Sequence, residues 1–310
     1  VCSRELCVWS FQQLGVGSDA ADDIATSSTL IELLIRLAQA ASKSSRSQVI
    51  FEPYPLLFHP KNRDKIEFNP KSKDFKKLGD VLAKFPQMSE LASRNDIGEI
   101  KTLMDNKHEL AFPLMQWLIS SNRCHMVRIE AQHQLPCMGT THQFLMLSAA
   151  PEHEAKFRAL RKKHGSTFAF HGSATENWHS ILRTGLRNAS GTKFQVNGAA
   201  YGSGIYLSPA ASTSLGYCRH TGTFRQGSGK NGWLGPELVC MAMCEVINHD
   251  IKKSGDIWVQ PHETHVVTRF FFVFDNATAR NKAQAVHTQN NKNVLTEINK
   301  PLKFYGLDQT

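Results

Sequence analysis

The stretch FAFHGSATENWHSILRTGLRN occupies residues 168–188, and GAAYGSGIYLSPAASTSLGY follows at 198–217. Three polar marks interrupt these largely apolar runs: His171-Gly172-Ser173, Gly204-Ile205-Tyr206, and Ser214 with Tyr217. Each stands where a strand should end or a helix begin. An apolar strand delivers His171 and then Gly172. Glycine admits close approach to its backbone, and its N–H and C=O can together bond a carboxamide. His171 can donate to a sugar hydroxyl. By itself this triplet also reads as a strand ending before a glycine turn. Gly198, Gly202 and Gly204 frame a loop before a strand resumes at Ile205. The spacing G-x-G-x-x-G is absent there, so no dinucleotide fingerprint is claimed. Pro209 suits the first turn of a helix. Ser214 and Tyr217, three apart, are predicted to share one helical face. Together the marks can build a pocket for a flat, amide-bearing, phosphate-linked ligand, although Tyr206 alone also reads as strand packing and Tyr217 alone as a buried helix residue.

Working outward, residues 29–41 (TLIELLIRLAQAA) read as a buried helix with Ser and Thr before it as caps. Residues 51–60 contain three prolines and should lie extended across a surface. Phe75, Leu78, Val81, Leu82 and Phe85 form a helical stripe stopped by Pro86. Short helices are expected at 88–93, 97–106 and 113–121. After Asn122 strands take over, at 125–130, 143–148, 167–171, 204–208, 238–246 and 265–274, with a charged helix at 152–163. Strands with short interspersed helices indicate an α+β domain. The expected domains are an arm or end of an upstream region at 1–25, a small all-α domain at 26–122, and the strand-rich domain at 123–310. From Asn276 onward the chain is polar and promises little core.

The chain has 310 residues and begins at Val1 without Met, which reads as a piece of a longer protein. No apolar run is long enough to span a membrane. Seven cysteines, an odd number without C-x-x-C, argue against a disulfide framework or a complete zinc site. Cys2 and Cys7 alone could be remnants of a metal site. A reducing, intracellular compartment is expected, cytoplasm or nucleus not distinguished. The formal charge is +9. A basic surface attracts polyanions, but no nucleic-acid motif accompanies it, so the lysines read as solvated helix faces.

Taken in order, His-Gly-Ser, then Gly-x-Gly-Ile-Tyr-Leu-Ser, then Ser-x-x-Tyr resemble the diphtheria-toxin-like ADP-ribosyltransferases of the poly(ADP-ribose) polymerase superfamily. ENWHSIL (176–182), GAAYGSGIYLSP (198–209) and VTRFFFVF (267–274) are similar to its mono-ADP-ribosylating branch. PLLFHP (55–60), MQWLISSNRCH (115–125) and the stretch 234–247 resemble that branch's membrane-anchored member. The resemblance implies two packed, mostly antiparallel sheets with short helices, preceded by the helical domain. It implies NAD as co-substrate, no metal, and protein acceptors, among them the chain itself.

By the same resemblance His171 and Tyr206 would be catalytic. His171 would bond the nicotinamide ribose, and Gly172 and Ser214 the carboxamide. Tyr206 and Tyr217 would sandwich the nicotinamide ring. Ser173, Asn177 and Arg187 would reach the adenosine side, with Arg187 suited to a diphosphate. Polymer-forming members bring a Glu on a late strand, and here Phe270 takes that position, with Thr268 or Phe272 under a slip of register. Phenylalanine and threonine are no general bases. Glu263, Asp275 and Glu245 are the neighbouring carboxylates. The expectation is single ADP-ribose transfer. The alternative is an inert module that binds NAD or ADP-ribose.

Overall fold

The computed structural model describes residues 18–94, 96–122, 124–193, 195, 200–219, 234, 238–289 and 292–307. Cys2, Cys7 and Gly198 lie outside the described residues, as does the part of 234–247 at 235–237. The chain divides into two compact units. One holds the described residues up to Asn122 with Leu234, and the other holds the rest from Cys124 on.

The first unit is built on a long helix, α1 (Ser18–Lys43). It starts well before residue 29 and runs through the serines expected as caps. The Ala- and Asp-rich run at 18–25 explains this, since Ala favours helix and Asp suits a helix N-terminus. After α2 (Ser47–Ile50) come strands β1 (Leu57–His59) and β2 (Asn62–Phe68), an antiparallel hairpin the all-helical expectation lacked. Nor does the proline-rich segment lie on a surface. Phe51, Tyr54, Leu56 and Leu57 are all buried, and the Tyr54 hydroxyl exchanges hydrogen bonds with both backbone groups of Asp74. Apolar side chains at that density cannot be left in water. Helices α3 (Phe75–Ala83), α4 (Met88–Ala92), α5 (Ile97–Asp105) and α6 (Ala111–Ser120) complete the unit. Asp74 caps α3 by accepting from Lys77 N at 2.9 Å.

The second unit contains β3 (His125–Arg128), β4 (His142–Ser148), α7 (Pro151–His164), β5 (Ser166–Gly172) and α8 (Trp178–Thr184). It continues with β6 (Ile205–Leu207), α9 (Ala211–Leu215), β7 (Val239–Ile247), β8 (Lys252–Ser254), β9 (Ile257–Gln260) and β10 (Val266–Phe274). Five strands form one sheet in the order β3-β4-β10-β7-β5, and three form another in the order β6-β9-β8. All pairings are antiparallel. The sheets meet where Phe170 and Ser208 exchange backbone bonds, Phe170 N to Ser208 O at 2.6 Å and Ser208 N to Phe170 O at 2.9 Å. This is the α+β architecture of packed antiparallel sheets that the motifs implied. Strands β7 and β10 are central and buried along their whole length. That accounts for their nearly unbroken apolar sequence.

The polar tail proves to be part of the core. Helices α10 (Ala277–Ala283) and α11 (Lys292–Phe304) bury Ala279, Ala283, Val294, Ile298 and Leu302. The i, i+4 spacing of Val294, Ile298 and Leu302 makes one apolar stripe, diluted in composition by the polar residues of the other faces.

Candidate active site

Everything polar about the site starts at the end of β5. Phe170 turns its N–H and C=O toward Ser208 of the second sheet. Backbone groups of residues i and i+2 point to the same strand edge, so Gly172 presents its N–H and C=O to that edge too. A donor and an acceptor side by side are what a carboxamide needs. The glycine itself has another cause than ligand approach. A Cβ at residue 172 would lie 1.8 Å from Ser214 O and 3.1 Å from Cys218 Sγ. The turn of α9 is packed straight onto the strand.

His171 points its Nδ1 at the Tyr206 carbonyl oxygen, 2.9 Å away. A carbonyl only accepts, so Nδ1 carries the proton. Burial also pushes the His171 pKa down, which favours the neutral ring. Nε2 is therefore a bare acceptor. The donor role expected toward a ribose hydroxyl is reversed: the hydroxyl would donate to His171. Trp178, fully buried at the start of α8, sets its ring edge-on to His171 at 6.0 Å.

Tyr206 is held at both ends. Its carbonyl serves His171, and its hydroxyl accepts from Tyr201 N at 3.0 Å and donates to Gly202 O at 2.9 Å. Gly204 is needed where β6 enters the sheet. Its φ is +156°, and a Cβ there would meet Val259 Cγ1 at 2.6 Å and Gln260 O at 2.8 Å.

Ser214 and Tyr217 do not share a helical face. Helix α9 stops at Leu215, and Tyr217 N closes a tighter turn onto Ser214 O at 3.0 Å. Ser214 is buried while Tyr217 is exposed at 46%. Tyr206 and Tyr217 thus stand on separate pieces, a strand and a turn. Ser173 and Asn177 are brought together, with Asn177 Nδ2 donating to Ser173 Oγ at 2.9 Å. Asn177 Oδ1 is buried without a hydrogen-bond partner. Arg187 lies exposed after α8.

The carboxylates beside β10 are all engaged. Glu245 Oε2 accepts from Arg269 Nε at 2.8 Å, and its Oε1 from Arg161 and Ser166. Glu263 Oε1 accepts from Asn188 N at 2.8 Å. Asp275 pairs with His142 at 3.4 Å. Phe270 is fully buried, in one cross-strand row with Met243 and Phe170. Phe272 and Thr268 are buried as well. Cys218 donates its thiol to Ser214 O, and burial pushes its pKa up to about 12, so it is a poor nucleophile. Gly202, expected only to frame a loop, also accepts the Tyr206 hydroxyl on its carbonyl oxygen. Tyr201 and Trp178 carry no motif signal of their own, though Tyr201 stands shortly before Gly204-Ile205-Tyr206.

A strand-end histidine, a glycine edge and a tyrosine-bearing strand in a two-sheet unit define an ADP-ribosyltransferase-type domain. The model of the poly(ADP-ribose) polymerase catalytic domain matches residues 137–292, about half the chain, and the chain belongs to that family. It is 44% identical over 298 residues to human "Protein mono-ADP-ribosyltransferase PARP8", covering 89% of this chain and 35% of that protein. The mouse protein of the same name gives the same figures. Human "Protein mono-ADP-ribosyltransferase PARP16" is 29% identical over 237 residues, covering 71% of this chain and 63% of that protein. The chain spans about a third of the length of the PARP8 relatives it matches.

Proposed function

We propose that the chain carries a protein mono-ADP-ribosyltransferase site, with NAD as co-substrate and protein side chains, its own included, as acceptors. The observation that carries this reading is the junction of β5 and β6. There Gly172 offers a donor–acceptor edge, and a neutral His171 offers Nε2 as an acceptor beside it. The residues present fit NAD. The Gly172 edge suits the carboxamide, with Ser214 beside it. His171 Nε2 suits a ribose hydroxyl, and the rings of Tyr206 and Tyr217 suit the nicotinamide. Asn177 Oδ1, buried and unpartnered, suits a hydroxyl on the adenosine side, to which the resemblance also assigns Ser173 and Arg187. Bound NAD supplies a C1′–nitrogen bond that breaks with nicotinamide leaving on the bonding pair. This chain's residues orient that bond and hold the departing amide, which is positioning and electrostatics rather than covalent catalysis.

The buried Phe270 supports transfer of a single unit. With no carboxylate at that position, an acceptor must already be nucleophilic, such as an Asp or Glu carboxylate or a thiolate. A carboxylate forms its bond to C1′ without losing a proton, so the transfer balances without a general base. The odd number of cysteines without C-x-x-C supports a reducing, intracellular setting. Nucleic acid has no part in the reading. Among the described residues no helix is long and apolar enough to cross a membrane.

The test is incubation with NAD, a search by mass spectrometry for ADP-ribose on the protein, and a gel with labelled NAD. Single modifications with nicotinamide release are expected. A high-molecular-weight ladder overturns the mono assignment. Binding of NAD without nicotinamide release establishes instead the inert binding module.

A further inference from the structure

Four imidazoles gather where three connections of the second unit meet. His164 ends α7, His249 and Asp250 stand on the turn between β7 and β8, and His262 and His265 between β9 and β10. Ring centroids are 4.3 Å apart for His164 and His249, 4.7 Å for His262 and His265, and 5.8 Å for His249 and His265. One carboxylate oxygen, Asp250 Oδ2, lies 3.1 Å from both His249 Nδ1 and His262 Nε2. Lys163 adds positive charge beside His164. Glu263, on the same turn as His262 and His265, is committed to Asn188, and His153 of α7 faces the Glu263 backbone. Among the described residues no three such side chains are arranged to hold a metal ion. A single carboxylate offsets one imidazolium, so added positive charge on His164 and His265 at this spacing has no carboxylate of its own to balance it. Burial, and then neighbouring positive charge, holds both His164 and His265 below the usual histidine range.

The cluster is wired to the strand that carries Tyr206. Gln260, fully buried, donates from Nε2 to His249 O at 2.9 Å and accepts on Oε1 from His262 N at 3.2 Å. One amide thus ties both histidine turns together. Gln260 pairs with Ile205 at the head of β6. From the same turn, Glu263 holds Asn188, and Asn188 Nδ2 holds Ser203 Oγ at 3.1 Å, just ahead of Gly204.

We infer that this histidine cluster is an acid-sensing site, in which protonation of the gathered rings drives the two turns apart and loosens β6 at Tyr206, lowering transfer activity. The effect on activity rests on the reading of the β5–β6 junction as the transfer site. The loosening of β6 does not.

The experiment follows amide hydrogen exchange at residues 205–207 and Asn188, corrected for intrinsic rates, at about pH 7.5 and about pH 5.5, on either side of the usual histidine value. Exchange at the lower pH should be about tenfold faster in the unaltered chain. It should be nearly unchanged in the variant with His249→Asn and His265→Gln. No acceleration in the unaltered chain, or equal acceleration in the variant, overturns the proposal. His164→Asn, a single change at a helix end, serves if the double variant fails to fold, and should accelerate less. Equal acceleration there again overturns it. The acid limb of NAD turnover should lie lower and be less steep in the variants, since His171 is common to all. Exchange that responds while the acid limb stays put overturns the regulatory role. Exchange is readable even if the chain turns over no NAD, so failure of the transferase reading is separable.

Discussion

His171 Nδ1 lies 2.9 Å from the Tyr206 carbonyl oxygen, and this bond joins the end of β5 to β6. It fixes which imidazole nitrogen is bare. His171→Ala removes that acceptor and is expected to lower automodification by about 100-fold or more. The melting temperature should change little, because the ring is only part-buried. A variant that retains most of its transfer rate from labelled NAD would count against the role given to His171.

The Tyr206 hydroxyl makes two bonds to main chain, at Tyr201 and Gly202. If the ring served only for stacking, Tyr206→Phe would be silent. The geometry leads to another expectation. Losing both bonds should cost about 1–3 kcal/mol of loop order and slow transfer by about tenfold or more. The Tyr201 amide should exchange faster in the variant even without NAD. Unchanged protection of that amide would exclude the clasp.

Gly172→Ala places a methyl 1.8 Å from Ser214 O. Main chain cannot swing aside as a side chain can, so α9 must shift. Overpacking of this kind typically costs about 1–3 kcal/mol. NAD affinity, measured by calorimetry, should fall more than the melting temperature suggests, because the shift carries Ser214 with it. Undiminished affinity would show that Ser214 lies outside the binding edge.

Phe270→Glu puts a carboxylate where the resemblance expects one in polymer-forming members, but not in its surroundings. Phe270 is fully buried beside Phe168 and Phe272. An unpaired buried carboxylate is expected to destabilise the domain by about 3 kcal/mol or more and to bring no polymerisation. Thermal unfolding and a gel with labelled NAD check both parts. A stable variant that yields a ladder contradicts the expectation.

Behind the sheet, Arg269 bonds Glu154 through both terminal nitrogens, at 3.0 and 2.9 Å, and Glu245 through Nε at 2.8 Å. Burial alone would raise the Glu154 pKa. The Arg269 guanidinium overrides it and holds the carboxyl at about 2. A folded pKa below the unfolded one means stability is present above the unfolded value and lost as pH falls. The loss should run from the usual carboxylate range, about pH 4.5, toward about 2. Unfolding by urea across this window should show it in the unaltered chain, and much less in Glu154→Gln, which starts lower by about 3 kcal/mol. Equal slopes would remove Glu154 from the acid response.

Strands β5, β7 and β10 were legible because their apolar runs are long and end in glycine or polar residues. The hairpin β1–β2 was not, because β2 reads NRDKIEF and is exposed along most of its length. Helix α11 was hidden by composition, since three apolar residues on one stripe are enough for one packed face. At the site, His171, Gly172, Tyr206 and Ser214 were legible as motif positions. Tyr201 and Trp178 were not, because each acts through a contact with a motif residue. The shared face expected for Ser214 and Tyr217 failed because helix propensity does not say where a short helix stops.

By itself the sequence determined the class of fold and the order of the motif residues, and it carries no carboxylate at Thr268, Phe270 or Phe272. These are local facts of residue type and spacing. The tertiary structure decided which nitrogen of His171 is bare, why residue 172 must be glycine, and that Glu245 belongs to an ion network with Arg269 rather than to the site. Each depends on groups that sequence separation keeps apart: Tyr206 against His171, Ser214 against Gly172, Arg269 against Glu245. Hydrogen-bond direction, steric exclusion and desolvation act only once folding has brought such groups within a few ångströms.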